Sequence, residues 1–257
     1  VITFLISCMV PGIYAQQIQK TVPDISALKL EVEPFIQMSV EEVKALVPTA
    51  SGIYFIGCPN CNGGAQEMNV LSWKPEFGNK LTCNYCNMIF PNEQYPENHE
   101  KVIIAPSGIK QVYRYHQNTL GNQYFYEAHS WFERWKWIQQ NAERLAKIYS
   151  LTKENAYGDR AAVIAGRFAQ LFPDYAIRYD YPSAAKKFFP ADQKWPYEGL
   201  VPYRGAKWNW WAYGDIPIQM ANVYEFLNNE YNWKRMDTFI GTETDKRIVK
   251  DLLVLGY

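Results

Sequence analysis

Residues 131–171 read WFERWKWIQQNAERLAKIYSLTKENAYGDRAAVIAGRFAQL, and their apolar positions predict two consecutive helices. Large side chains fall on one face of a first helix that ends near Ser150, namely Trp131, Trp135, Ile138 and Leu145. In the second helix, apolar side chains recur at spacings of four, three, four and three residues, at Tyr157, Ala161, Ile164, Phe168 and Leu171. These spacings match the 3.6-residue period of a helix with one buried face. Because only a tight turn separates the helices, with Thr152 as the expected N-cap of the second, they predict an antiparallel hairpin that ends at Pro173.

The rest of the C-terminal half is also predicted to be helical. A third helix begins near Asp215 and carries apolar residues spaced four, three and four apart, at Ile216, Met220, Val223 and Leu227. A fourth is expected from about Thr242 to Leu255, and a short one near residues 183–189. Helical hairpins joined by long loops are typical of an α/α toroid or a helical array. Since four or five helices cannot close a toroid, we expect a mainly α fold with an incomplete α/α toroid over residues 119–257.

The N-terminal half is predicted to contain two further regions. Residues 16–50 form a helical lead-in, in which Ser39 and Glu42 make a capping box and Pro48 ends the helix. Residues 51–118 form a small β-rich insert, because short β-like runs alternate there with Gly, Asn and Pro turns. The runs are residues 53–56, 68–73, 102–105 and 111–116.

Four cysteines inside this insert form the most specific local pattern of the chain. Cys58 and Cys61 make one CxxC pair, Cys83 and Cys86 make a second, and 21 positions separate the pairs. This spacing is typical of a zinc ribbon, in which two knuckles point four thiolates at one tetrahedral ion. Four thiolates leave no open coordination position, so the predicted cofactor is a structural zinc ion.

Two other interpretations of the cysteines stay open. An exported protein can form disulfides, such as a Cys58–Cys86 pair. A CxxC redox site is less favoured, because no βαβ pattern surrounds either pair.

The N-terminus predicts export. Residues 2–14 read ITFLISCMVPGIY and are followed by Ala15 and a polar segment, a pattern similar to the end of a secretory signal peptide. Since the chain starts at Val1 without a basic segment, we expect a partial signal peptide over residues 1–15 and truncation at both ends of the chain. Cleavage near Ala15 would deliver a secreted or periplasmic bacterial protein and remove Cys8. The apolar run is too short to span a bilayer, and a buried N-terminal strand is the alternative.

Charge and composition narrow the class of ligand. Lys and Arg number 26 and so do Asp and Glu, and this zero net charge disfavours a general nucleic-acid binder. Residues 203–213 read YRGAKWNWWAY and combine cations, an amide and aromatic rings, a mixture that suits an acidic sugar. The predicted substrate-binding residues are Arg204, Trp208, Asn209 and Tyr213, the alternative being that the tryptophans pack in the toroid wall.

Other polar residues are expected to be structural. His99, His116 and His129 show no metal-ligand spacing, and His129 is interpreted as a helix residue that packs against aromatic rings. Arg160 and Arg167 are expected to be solvated or ion-paired. No GxSxG, P-loop or GxGxxG motif is present, which weakens esterase and nucleotide-binding interpretations.

Together, three segments resemble a known family. They are the four-cysteine insert, the run EAHSW at residues 127–131 with Arg134 and Trp135, and AYGDRAA at residues 156–162. Over roughly residues 25–257 they are similar to the N-terminal half of heparinase II/III-like polysaccharide lyases, in particular the exolytic branch that acts on heparin-type or alginate-type chains.

The resemblance implies a fold and a reaction. The fold is an incomplete α/α toroid followed by antiparallel β-sheet domains, and the partner is an acidic polysaccharide or oligosaccharide. Such enzymes cleave uronate glycans by β-elimination: one group neutralises the C5 carboxylate, a base removes the C5 proton, and an acid protonates the departing O4. The family's catalytic Tyr and His residues match no position here, so no catalytic residue is assigned. The alternative is a non-catalytic, secreted glycan-binding protein.

Overall fold

The computed structural model describes residues 24–53, 56–61, 63, 69–105, 107–175 and 215–254. These residues are mainly helical, with two small antiparallel sheets. The helices are α1 (Ile25–Glu31), α2 (Glu33–Gln37), α3 (Val40–Leu46), α4 (Tyr126–Thr152), α5 (Asn155–Leu171), α6 (Asp215–Leu227) and α7 (Thr244–Arg247). The strands are β1 (Leu71–Ser72), β2 (Leu81–Cys83), β3 (Ile89–Phe90), β4 (His99–Ile104), β5 (Lys110–Gln117) and β6 (Gln123–Tyr124).

Over residues 24–50, the part of the predicted lead-in that the structure describes, the chain forms three short helices. The Ser39 hydroxyl accepts a hydrogen bond from the Glu42 N–H at 3.2 Å, and the Glu42 carboxylate accepts one from the Ser39 N–H at 2.7 Å. This reciprocal pair is the predicted capping box at the start of α3. Helix α3 ends at Leu46, two residues before Pro48.

Arg160 has a structural role that the sequence did not predict. Its half-exposed guanidinium forms no ion pair within the described ranges and donates to the backbone carbonyl oxygens of Phe35, Ile36 and Met38, the Ile36 bond measuring 2.9 Å. These carbonyls lie at the end of α2, where helix C=O groups lack intrahelical partners. Arg160 therefore fastens the lead-in to α5, whereas the hydrogen bond of Arg167 within the described ranges goes to Gln170 in the same helix, at 3.0 Å.

The predicted antiparallel hairpin is confirmed in α4 and α5. The two helices pack against each other and are joined only by Lys153 and Glu154, with Lys153 in the left-handed conformation (φ 60°). The expectation that Thr152 caps α5 is wrong, because Thr152 is the last residue of α4 and its hydroxyl donates to the Ile148 carbonyl at 3.0 Å. The N-cap of α5 is Glu154, without a side-chain cap. Pro173 follows the end of α5, as predicted, within a 3₁₀ turn at Phe172–Asp174.

Helix α6 packs against α4. The Asn222 amide donates to the Glu143 carboxylate at 2.8 Å, and further along both segments the Tyr149 hydroxyl donates to the Glu230 carbonyl at 3.0 Å. Contacts that advance together along two segments show that the segments are parallel. The core between α4, α5 and α6 includes Ile138, Leu145, Ile164, Phe168, Met220, Val223 and Leu227.

The predicted fourth helix is confirmed over Thr244–Val254. It begins as α7 and continues directly as a π-helical segment over Ile248–Val254. A 3₁₀ helix at Trp233–Met236 was not predicted. Within the described ranges, no helix combines the length and the hydropathy needed to cross a bilayer.

The insert contains the first sheet and two strands of the second. Strands β1, β2 and β3 pair in that order, with Leu71 opposite Cys83 and Leu81 opposite Phe90. Strands β4, β5 and β6 form the second sheet, which extends to Tyr124. Of the predicted run at residues 53–56, the structure describes Ile53 and Ile56, and Ile56 forms an isolated bridge to Asn69.

The β1–β2–β3 sheet has a hydrophobic cluster of its own, which we call the ribbon core. Its buried members are Ile56, Val70, Leu71, Leu81, Cys83, Phe90 and Tyr126. Tyr126 is the first residue of α4, and its ring stacks on Phe90 with centroids 5.0 Å apart. The ribbon core is therefore joined to the helical body at the start of α4.

Candidate metal centre

The structure brings the four predicted ligands together. The Sγ atoms of Cys58, Cys61, Cys83 and Cys86 all lie within 4.8 Å of one another. The Cys58–Cys86 and Cys61–Cys83 pairs are each separated by 3.8 Å between sulfurs. A tetrahedral ion with Zn–S bonds of about 2.3 Å requires sulfurs about 3.8 Å apart, so the donor set and its spacing fit such an ion.

No disulfide joins the described cysteines. All four are free thiols, and a sulfur separation of 3.8 Å is far longer than an S–S bond of about 2.05 Å. The cluster can thus hold a metal ion. Because the four donors are all thiols, a bound Zn²⁺ would have a complete protein ligand set and a structural role.

The second knuckle is built by the turn between β2 and β3. Cys83 is the last residue of β2, and its N–H donates to the Met88 carbonyl at 2.9 Å. Asn87 adopts the left-handed conformation (φ 58°), and its N–H donates to the Cys83 carbonyl at 3.0 Å. This tight turn places Cys86 beside Cys83, so that both sulfurs face the first knuckle.

Hydrogen bonds to the sulfurs prepare the site for thiolates. The Met88 N–H lowers the pKa of Cys86 to about 6, and the Asn60 amide, 3.6 Å from the Cys86 sulfur, acts in the same direction. Burial raises the pKa of Cys58. Metal binding requires deprotonated thiols, so Cys86 is the ligand most ready to ionise.

Asn60 and Tyr95 form a second layer around the cluster that the sequence analysis missed. The Asn60 oxygen accepts a hydrogen bond from the Tyr95 hydroxyl at 3.2 Å, which orients the amide toward Cys86. The backbone N–H of Tyr95 is bonded in turn to the Asn92 side chain at 2.9 Å. Such outer partners orient metal ligands. The position of Asn60 between the first two cysteines was the available signal.

His129 has the structural role expected from the sequence. The ring is fully buried; Nδ1 lies 2.8 Å from the Ile53 carbonyl oxygen, and Nε2 lies 3.3 Å from that of Leu71. Burial lowers the pKa of His129, which favours a neutral ring at pH 7. The ring therefore connects α4 to two segments of the insert, at Ile53 and at Leu71. In the part of the chain that the structure describes, no histidine belongs to a metal-binding group.

The other predicted site residues cannot be compared with this geometry. Arg204, Trp208, Asn209 and Tyr213 lie outside the described residues, as do residues 1–15 and the short helix expected near residues 183–189. They remain predictions from the sequence.

Comparison of the chain with protein-family models, with curated proteins and with solved structures gives no match. The metal centre is therefore supported by its own geometry and donor set.

Proposed function

We propose that this chain is the N-terminal part of a heparinase II/III-like polysaccharide lyase that degrades uronate-containing glycans by β-elimination. The proposal combines the resemblance of the sequence with one observation on the fold. After the antiparallel α4–α5 hairpin, α6 returns alongside α4 and parallel to it. The localisation proposed with it is the periplasm or the exterior of a bacterial cell.

The return of α6 supports an incomplete α/α toroid. A toroid is a ring of helical hairpins, in which each helix of the inner layer runs parallel to the next and an outer helix connects them. Helices α4 and α6 have the parallel relation needed for one layer, and α5 has the opposite direction needed for the connecting layer.

In this proposal the four-cysteine centre holds a structural zinc ion. Its four thiol donors would fill a tetrahedral coordination sphere and leave no position for substrate or water. The ion would stabilise the insert, and no step of the reaction is assigned to it. The described residues also receive no catalytic role.

The test is a lyase assay on the intact gene product after zinc loading. Heparin, heparan sulfate, hyaluronan and alginate are supplied separately, and the ultraviolet absorbance of the unsaturated uronate product is followed. We expect a rise with at least one substrate. The matched control is the same glycan with its carboxyl groups reduced to alcohols, which should give no rise, because β-elimination requires an electron-withdrawing C5 carboxylate.

A rise that persists with the carboxyl-reduced glycan would contradict β-elimination. A folded, zinc-loaded protein that produces no rise with any of the four substrates would contradict the lyase proposal. Binding of the same glycans without turnover would favour the second candidate, a secreted glycan-binding protein. One observation favours that candidate, namely a cleft beside the insert that displays two cations.

A further inference from the structure

The cleft lies where the insert meets the helical body. Its volume is about 730 Å³, within the range of small-molecule sites. The loop between β1 and β2, the loop after β3, the strand β5 and the start of α4 all contribute to its walls. The side chains used in the argument are Phe77, Lys80, Glu93, Glu97, Arg114 and Glu127.

The acidic wall of the cleft is held in place by hydrogen bonds. The Glu127 carboxylate accepts from the Asn79 amide at 2.9 Å, and the Asn79 oxygen accepts from Arg134 at 2.7 Å. The Glu97 carboxylate accepts from the Glu127 N–H, at the start of α4, at 3.1 Å. These carboxylates therefore already have donors and occupy fixed positions.

The cations of the cleft are not fixed by ion pairs among the described residues, although the charge of Arg114 acts on Glu97. Lys80 and Arg114 are exposed, and across the described ranges neither forms an ion pair. Glu100 is paired with Arg114 across the β4–β5 ladder, but no ion pair joins them. An anionic ligand would thus supply the acceptors that the two cations lack, and charge-assisted hydrogen bonds to a carboxylate or sulfate are the strong kind.

Glu97 limits the negative charge of the cleft. Burial, reinforced by the neighbouring Glu127 charge, raises the pKa of Glu97 to about 7, so a large fraction of this group is neutral at pH 7. The charged groups that face it are Lys80, Arg114, Glu93 and Glu127, and the ring of His116 lies behind the loop, 3.3 Å from the Pro96 carbonyl. An anion can therefore approach Arg114 with less repulsion than the number of carboxyl groups implies.

Apolar surface completes the cleft. Phe77, Pro91 and Pro96 are half-buried and line it beside the charged groups. A sugar ring has the same mixed character, since it presents C–H groups on its faces and hydroxyls at its edge. Aromatic and proline surfaces can pack against the C–H faces of the sugar, and carboxylates can accept hydrogen bonds from its hydroxyls.

We propose that this cleft binds a short segment of an acidic oligosaccharide, with its carboxylate or sulfate on Arg114 and Lys80 and its hydroxyls on Glu97 and Glu127. The inference rests on the proposed function, which supplies acidic glycans as the ligand class. It adds a binding site on the cysteine insert, separate from the predicted segment 203–213. The insert would then hold substrate as well as metal.

The experiment is calorimetric titration of the zinc-loaded chain with defined hexasaccharides of heparin, hyaluronan and alginate, and with a neutral cello-oligosaccharide as the uncharged probe. The test variants are Arg114→Ala and Lys80→Ala. The control is Lys110→Ala, which also removes one positive charge from the outer face of β5 but lies outside the cleft. Loss of a charge-assisted hydrogen bond should weaken binding by about 10-fold to 100-fold in each test variant, with Lys110→Ala within about twofold of the parent.

Equal affinity of Arg114→Ala and the parent for every acidic probe would overturn the proposal. Equal losses of affinity in Lys110→Ala and Arg114→Ala would also overturn it, because they would indicate attraction by net charge alone. Binding of the neutral probe with the same affinity as the acidic probes would overturn it as well. The lyase assay separates the two proposals. If the protein turns over a glycan but Arg114→Ala binds that glycan as tightly as the parent, the binding-site proposal is contradicted and the lyase proposal stands. If the parent binds acidic probes selectively but produces no turnover, the lyase proposal is contradicted and the binding-site proposal stands.

Discussion

Arg160 shows how one side chain connects segments that are distant in sequence. Its guanidinium satisfies three carbonyl groups at the end of α2, more than 120 positions earlier in the chain. We expect Arg160→Ala to lower the free energy of unfolding by about 1–3 kcal/mol, because hydrogen bonds from a charged donor are lost and the carbonyls are left to water. Urea unfolding followed by circular dichroism measures the change.

Arg167→Ala is the matched control for Arg160. It removes the same side chain from the same helix, but among the described residues Arg167 donates to the nearby Gln170 and not to the lead-in. Its cost should be smaller by about 1 kcal/mol or more. Equal losses in the two variants would show that Arg160 acts through general helix stability and not through the lead-in.

Glu97 predicts a pH dependence of stability. Its pKa rises from 4.5 to about 7 on folding, so between these values the folded state binds a proton that the unfolded state has released. The unfolding free energy therefore falls as the pH rises through this window, by at most about 3 kcal/mol from this group. Glu97→Gln keeps an oxygen acceptor for the Glu127 N–H and removes the buried charge. We expect it to raise the melting temperature at pH 8.5 and to have little effect at pH 4.

The prediction is tested by comparing the effect of Glu97→Gln on the melting temperature at pH 4 with its effect at pH 8.5. A Glu97→Gln variant that is shifted equally at pH 4 and pH 8.5 would show that packing, and not the charge of Glu97, determines the effect. Differential scanning calorimetry of both proteins at the two pH values makes the comparison.

Sequence reasoning found residues whose pattern is local in the chain and missed residues whose partners are distant in it. The cysteines could be predicted because the CxxC spacing is local and each pair lies on one turn. Arg160 could not, since its partners are backbone groups in another helix and leave no pattern of residue types. Glu97 likewise depends on the start of α4, 30 positions away, to which its carboxylate bonds.

At the scale of elements, the apolar periodicity of the sequence predicted the helices that have one buried face. The apolar spacings of α5 and α6 correspond to residues that are buried against α4. Strands β2 and β3 have only three and two residues, too few to show a period, and were missed. The last helix begins later than predicted because Gly241 (φ 117°) and Glu243 (φ 59°) hold left-handed conformations just before Thr244.

Gly158 lets α4 and α5 approach each other closely. A Cβ atom at this position would lie 2.7 Å from a ring carbon of Tyr149, closer than packed carbon atoms approach. In an open helix position Gly→Ala would stabilise by about 1 kcal/mol. Here the overlap, costing about 1–3 kcal/mol, should offset that gain and make Gly158→Ala destabilising in urea unfolding.

A double-mutant cycle tests whether Tyr149 is the cause. Tyr149→Ala removes the ring carbons that meet the added methyl group, although it also loses the hydroxyl bond to the Glu230 carbonyl. The double variant should be less destabilised than the sum of the single variants by about 1–2 kcal/mol. A Gly158→Ala variant more stable than the parent would contradict the close approach.

At the scale of the whole molecule, the described residues contain a ribbon core that is separate from the core of the helical body. The two are linked through Tyr126, whose ring packs in the ribbon core, and through His129, whose ring nitrogens face the carbonyls of Ile53 and Leu71. The ribbon core is small, and four thiols converge at its edge. Small metal-binding units commonly depend on the ion for folding, whereas a helical core of this size does not.

Removal of the metal should therefore unfold the insert and leave the helices. We expect native mass spectrometry to show one bound zinc ion per chain, lost on treatment with a strong chelator. Hydrogen exchange measured by mass spectrometry should then increase in peptides from residues 69–95, while peptides from residues 136–150 and 157–171 stay protected. The Cys83→Ser/Cys86→Ser variant should show the same pattern without chelator. Its control, Ile89→Ala, changes an exposed residue of β3 in the same sheet and keeps all four thiols. Global loss of protection would show that the two cores fold as one unit, and unchanged exchange in the insert would show that its fold does not depend on metal.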